Sequence, residues 1–220
     1  MHAQIRRHER CGRSAPCQPT SRREFRAGIG PAKGMRMPNL WSDQAYNEAI
    51  AFAAEAHLEQ KVPGSQLPYV VHVANVAMQI MAALAVTEGL DGTLAVRCAL
   101  LHDTLEDTSV TYEQLRALFG AETADGVLAL TKNEEMEKAE RMADSLRRIQ
   151  AQPREVWMVK LADRITNLQP PPKHWKVDKM ERYQREAATI LDALGSGNQF
   201  LAGRLEERID EYTQYIESAR

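Results

Sequence analysis

Ala99-Leu100-Leu101-His102-Asp103-Thr104-Leu105-Glu106-Asp107-Thr108 runs from an apolar triplet into four titratable groups within six positions. On a helix, His102 and Glu106 stand one turn apart, and so do Asp103 and Asp107. A core helix does not normally bury His, Asp, Glu and Asp together, because unpaired buried charge is expensive. A divalent metal resolves that cost. A solvated helix end is the competing reading of a lone His-Asp pair, so the decision rests on what the rest of the chain supplies.

Two further segments supply it. Pro68-Tyr69-Val70-Val71-His72 places a histidine at the start of a helix whose apolar residues Val73, Val76, Ala77, Ile80 and Leu84 recur with helical spacing. Alone, His72 reads equally as a half-buried capping residue. Val156-Trp157-Met158-Val159-Lys160-Leu161-Ala162-Asp163-Arg164-Ile165-Thr166-Asn167 is apolar and then abruptly charged, with Asp163 and Asn167 on one face. Its bland alternative is a surface mixture of charges. Together the three segments offer a His, a His-Asp pair and a distant Asp on three helices. Two imidazoles and two carboxylates make a mixed nitrogen and oxygen donor set suited to Mn, Fe, Zn or another first-row divalent ion. Such an ion polarises a phosphoryl group and acidifies water.

Outward from these segments the chain keeps a helical period. Ile50, Ala53, Ala54 and His57 share one stripe, and Val62 to Pro68 reads as a loop by its Pro and Gly content. Helices are expected from about Thr93 to Glu106, Ala121 to Leu130, Glu134 to Gln150, Arg154 to Leu168, Lys179 to Leu194 and Gln199 to Glu217. A short helix opens at Thr111 with capping-box spacing to Gln114 and ends at Phe119-Gly120. Pro170-Pro171-Pro172 stops the helix before it. No period-2 strand, Gly-rich phosphate loop or internal repeat is present. The expectation is an all-α fold, a single bundle of roughly eight to ten helices over residues 38–220.

The 220 residues, 44% hydrophobic, suffice for one full-sized core. A net charge of −2 asks for neither nucleic acid nor an acidic membrane surface. Three scattered cysteines, Cys11, Cys17 and Cys98, make no disulfide framework and no thiolate zinc pair. They suit a reducing cytoplasm. No apolar run approaches the ~20 residues of a membrane span. Residues 1–37 are different: rich in Arg, scattered with Gly and Pro, and lacking a hydrophobic signal region. They are expected to be a disordered basic tail, or translated sequence upstream of a start at Met35 or Met37.

The motifs carry a resemblance. PYVVH (68–72), ALLHDTLEDT (99–108), FGAET (119–123), LTK (130–132) and VKLADRITNL (159–168) resemble, in order, the hydrolase domain of RelA/SpoT-type proteins of the HD superfamily. HLEQK (57–61) matches the segment before the first metal histidine. YQREAATILDALGSGNQFLAGRLEE (183–207) is similar to the tail of the small stand-alone alarmone hydrolases. The likeness covers about Asp43 to Tyr215, and the Glu106-Asp107 pair separates this family from most HD proteins.

The resemblance implies an HD-type helical fold and metal-dependent removal of the 3′-pyrophosphate of ppGpp or pppGpp, giving GDP or GTP. It implies metal ligation by His72, His102, Asp103 and Asp163, with Mn²⁺ as the cofactor. Glu106 and Asp107 take the catalytic part, positioning and activating water. Asn167 sits at the nucleotide, and Lys61, Tyr69, Lys160, Arg164 and Tyr183 are candidates for phosphate, ribose or base contacts. Lys138 and Arg141 are either phosphate contacts or plain surface cations. The implied partner is a small nucleotide, with no membrane or nucleic acid; a homodimer stays open. Departures are Val73 where the family has Pro, Thr166 where it has an aromatic, and Lys61 where Arg is common and grips phosphate in two places. Two alternatives remain: a phosphatase for another nucleotide such as NADPH, and a silent HD scaffold. The stretch after Leu168 is expected to hold no synthetase domain, so the expected activity is hydrolysis alone.

Overall fold

The structure is a computed structural model, and it describes residues 40–220. The expected basic tail over residues 1–37 lies outside the described residues. Among those described there are ten α-helices: α1 (Asp43–Ala56), α2 (Val70–Leu84), α3 (Gly92–Leu101), α4 (Thr104–Asp107), α5 (Tyr112–Phe119), α6 (Ala121–Leu130), α7 (Arg141–Gln150), α8 (Arg154–Asn167), α9 (Val177–Leu194) and α10 (Gln199–Ser218). A single 3-10 turn (Gly195–Gly197) joins the last two. The all-α expectation holds, and so does the helix number.

Several helix starts follow from local side-chain chemistry. Ser42, Asp91 and Asn198 each accept a hydrogen bond from an amide of the first turn, satisfying a donor that the helix itself cannot. Thr111 and Gln114 form the reciprocal capping box that their spacing predicts. Gly120, at φ +88°, ends α5 and opens α6, a conformation that side chains other than glycine rarely adopt.

Helix α8 runs through the middle of the molecule, packed against α2, α3, α9 and α10. Its apolar residues Val156, Met158, Val159, Leu161, Ala162 and Ile165 are all buried, so it is surrounded rather than amphipathic. Helices α3 and α6 cross close together beside it. A Cβ on Gly126 would stand 2.9 Å from the Cys98 sulfur and 3.0 Å from Val156 Cγ2, so glycine sets that approach. The packing of α2, α3 and α8 carries three separated sequence motifs to one end of the bundle. No described helix is long and apolar enough to cross a membrane.

Three boundaries differ from expectation. The helix expected to run from Thr93 through Glu106 stops at Leu101, and a two-residue turn leads into α4. Polar side chains take the helix carbonyls there: His102 Nδ1 donates to the Ala99 carbonyl at 2.9 Å, and Thr104 Oγ1 donates to that of Leu101 at 2.7 Å. The helix expected from Glu134 begins only at Arg141. Residues 131–140 form a loop, in which the Asn133 side chain accepts from the Glu135 amide at 3.1 Å, a local turn that competes with helix. Finally, α9 starts at Val177, two residues before the expected Lys179.

Candidate metal centre

Each of the three motifs delivers its side chains from a different element. His72 lies in the first turn of α2, His102 caps the C-terminus of α3, Asp103 precedes α4, and Asp163 lies near the end of α8. His72 Nε2 is 3.5 Å from Asp163 Oδ1 and 3.7 Å from Asp103 Oδ2. His102 Nε2 is 3.0 Å from Asp103 Oδ2 and 3.7 Å from Asp163 Oδ1. His72, His102 and Asp163 offer ligand atoms that all lie within 4.8 Å of one another. Both histidines and Asp163 are buried.

The donor set fits a divalent ion on a specific observation. The Nε2 atoms of His72 and His102 are buried and lack a well-aligned hydrogen-bond partner, although Asp103 Oδ2 stands 3.0 Å from the second. Two such orphans facing two carboxylates are costly without a cation. The second ring nitrogen of His102 is already committed to the Ala99 carbonyl, so Nε2 is the one left to ligate. Burial works against a charged His102, yet the Asp103 and Asp163 carboxylates outweigh it and push that imidazole up to about 10. Burial also works against an ionised Asp163, but Lys160 and the two histidines hold it well below the usual carboxylate range. Asp103 is likewise held low, against its own burial, by His102 and the Tyr69 hydroxyl.

Neighbouring side chains fix these groups in place. Tyr69 OH donates to Asp103 Oδ2 at 2.5 Å, and burial, followed by the Asp103 charge, raises the phenol so that it keeps its proton. Asn167 Nδ2 donates to Asp163 Oδ1 at 2.5 Å, and Lys160 Nζ donates to Oδ2 at 3.3 Å. Glu106 is gripped at both oxygens by Lys132, through its main-chain N–H at 3.1 Å and its ammonium at 2.5 Å. Asp107 accepts from Gln60 Nε2 at 2.9 Å.

Two contiguous cavities open on this cluster. The smaller, about 290 Å³, is lined by Tyr69, His72, Asp103, Glu106, Asp107 and Asp163, with Lys132 and Lys160 as its cations. The larger, about 720 Å³, shares His72, Asn167 and Tyr183 with it and extends beneath Pro170 to Trp175. Trp175 and Tyr183 meet edge to face at 5.2 Å, giving that cavity an aromatic wall.

The expected residues divide accordingly. Tyr69, Lys160, Asn167 and Tyr183 stand with the four metal-type ligands and the Glu106-Asp107 pair. Arg164 does not line either cavity; it is buried behind, with its guanidinium carbon 4.4 Å over the Tyr183 ring. Lys61 is exposed and donates to Gln66 Oε1 at 2.5 Å. Arg141 ties down the 131–140 loop through the carbonyls of Met136 and Glu134, at 2.9 and 2.7 Å, and Lys138 is exposed on that loop. Sequence reasoning passed over Lys132, although the LTK motif contains it, and Gln60, although HLEQK does. It also read Pro170-Pro171-Pro172 only as a helix stop.

The HD domain family matches residues 49–198. The MESH1 guanosine-3′,5′-bis(diphosphate) 3′-pyrophosphohydrolase of Xenopus tropicalis is 30% identical over 164 residues, covering 72% of this chain and 89% of that one. Its counterpart in Danio rerio is 30% identical over 174 residues, with 77% and 94% covered. A solved structure of a metazoan ortholog of SpoT that hydrolyses ppGpp is similar at a TM-score of 0.68 and 27% identity, covering 78% of this chain and 97% of that one. The chain belongs to the HD domain family, alongside the MESH1 3′-pyrophosphohydrolases.

Proposed function

We propose that the chain is a metal-dependent hydrolase that removes the 3′-pyrophosphate of guanosine tetra- or pentaphosphate, working in the cytoplasm with Mn²⁺. The observation that carries this reading is the pair of unpartnered Nε2 atoms facing Asp103 and Asp163, directly beside the Glu106-Asp107 pair. The names of the MESH1 relatives supply the substrate. Residues 38–220 form the catalytic unit, and residues 1–37 are a basic tail without a catalytic part.

His72, His102, Asp103 and Asp163 hold the ion. When bound, it supplies the positive charge that polarises a phosphoryl oxygen and eases proton loss from water. The remaining steps belong to side chains. Glu106 and Asp107 border the smaller cavity, where a carboxylate within reach of the attacking water accepts its proton. Lys132 and Lys160 face the same space and offset the negative charge of a pyrophosphate. Asn167 and Tyr183, at the junction of the two cavities, orient the nucleoside, with the guanine against the Trp175 and Tyr183 wall. Arg164 acts indirectly, stacked on Tyr183.

The test is a product assay on purified protein with Mn²⁺, offering ppGpp and NADPH in parallel, with Asp103→Ala as comparator. Pyrophosphate and GDP from ppGpp, abolished by the substitution, is the expected result. Phosphate release from NADPH alone, or turnover that survives Asp103→Ala, contradicts it.

A further inference from the structure

Behind Asp107 lies a short hydrogen-bonded chain that ends inside the protein. Gln60 Nε2 donates to Asp107 Oδ2 at 2.9 Å, and Gln60 Oε1 stands 2.6 Å from His57 Nδ1. His57 is buried, and its Nε2 has no partner. Its ring lies 4.8 Å from that of Tyr69, whose hydroxyl holds Asp103.

The directions of these bonds follow from the groups themselves. An ionised carboxylate only accepts, so the Gln60 amide nitrogen must face Asp107. The Gln60 oxygen then faces His57, so Nδ1 must carry a proton and donate it. The opposite amide orientation would set the Gln60 oxygen against the Asp107 oxygen. The Gln60 backbone is fixed at both ends, its N–H donating to the His57 carbonyl at 2.9 Å and its carbonyl accepting from the Tyr69 amide at 3.0 Å. The side chain therefore works from an anchored base.

We infer that His57 and Gln60 are positioning residues for Asp107, a relay in which the buried imidazole fixes the Gln60 amide and the amide aims the carboxylate into the smaller cavity. Neither residue lines either cavity, so both act through Asp107. The relay also couples the two halves of the site. His57 packs on Tyr69, so the tyrosine that holds Asp103 and the glutamine that holds Asp107 rest on one buried ring.

This inference rests on the hydrolase reading for its kinetic part only. With metal-loaded full-length protein and ppGpp as the probe, Gln60→Leu is expected to lower kcat about tenfold, with KM and metal content unchanged. His57→Phe keeps the packing but removes the donor, and is expected to cost a similar factor. The double variant is expected to be no slower than either single one, because both break the same relay. His57→Asn, whose amide nitrogen reaches the place of Nδ1, is expected to recover most of the rate. Ring nitrogen shifts of His57 in metal-free protein provide a second readout that needs no turnover: the proton belongs on Nδ1. That readout decides the relay even if ppGpp is not the substrate. A proton on Nε2 alone, multiplying losses in the double variant, or His57→Asn no faster than His57→Phe overturns the inference.

Discussion

Replacing Arg148 by Met tests how a helix remote from the metal ligands supports the site. The Arg148 guanidinium donates to the carbonyls of Leu128, Ala129 and Thr131 at 2.8, 3.0 and 2.8 Å, and to Asp144 Oδ2 at 2.8 Å. The carbonyls of Leu128 and Ala129 lie in the last turn of α6 and that of Thr131 just beyond it, where a helix cannot satisfy its own acceptors. The next residue is Lys132, whose main chain and ammonium both grip Glu106. Methionine keeps the length of the side chain and removes every donor. At about 1 kcal/mol net per lost carbonyl bond, the cost is about 3 kcal/mol. For a domain of this size that lowers Tm by about 6–12 °C, read by circular dichroism or calorimetry. With the end of α6 loosened, Lys132 holds Glu106 less well, and kcat is expected to fall about tenfold at unchanged metal content. A Tm loss below about 2 °C together with an unchanged kcat would refute the reasoning, since it would mean that the clamp contributes neither stability nor geometry.

Other perturbations probe other parts of the fold. Gly126→Leu drives a side chain into Cys98 and Val156 at the crossing of α3, α6 and α8, and is expected to cost about 1–3 kcal/mol in denaturant unfolding. Asp144 is held below its ordinary range, chiefly by its hydrogen bond from Arg148. A depressed carboxyl contributes stability above the unfolded pKa of about 3.9 and loses it as pH falls through the folded value. The stability gap between the native protein and Asp144→Asn is therefore expected to be full at neutral pH and to close below about pH 4, measured by urea unfolding at several pH values. Trp175→Ala removes half of the aromatic wall and is expected to raise KM for the nucleotide several-fold, about 1 kcal/mol, with kcat nearly unchanged, in steady-state kinetics.

The helical period made the architecture readable. Stripes such as Val73 to Leu84 and Leu201 to Ile216 repeat at the spacing that buries one face, and they form α2 and α10. The site was readable where chemistry concentrates. No apolar core explains His102, Asp103, Glu106 and Asp107 side by side, and the structure gathers them with His72 and Asp163. The break after Leu101 was not readable, because a helix and a turn share the same apolar lead-in; the decision falls to hydrogen bonds of His102 and Thr104 with carbonyls behind them. Lys132 and Gln60 were overlooked because their partners are distant, 26 and 47 residues along the chain, and no local pattern marks a long-range bond. Arg164 and Arg141 attracted substrate roles as cations, whereas stacking on Tyr183 and tying a loop depend on tertiary neighbours.

The central claim is that His72, His102, Asp103 and Asp163 form one divalent-metal site. Its most direct test is metal content by inductively coupled plasma mass spectrometry. The native protein and Asp163→Ala are dialysed together against the same trace of Mn²⁺ and shown by circular dichroism to be folded. About one ion per native chain and nearly none in the variant is the predicted result. Equal metal in both, or a folded native protein that retains none, would contradict the account.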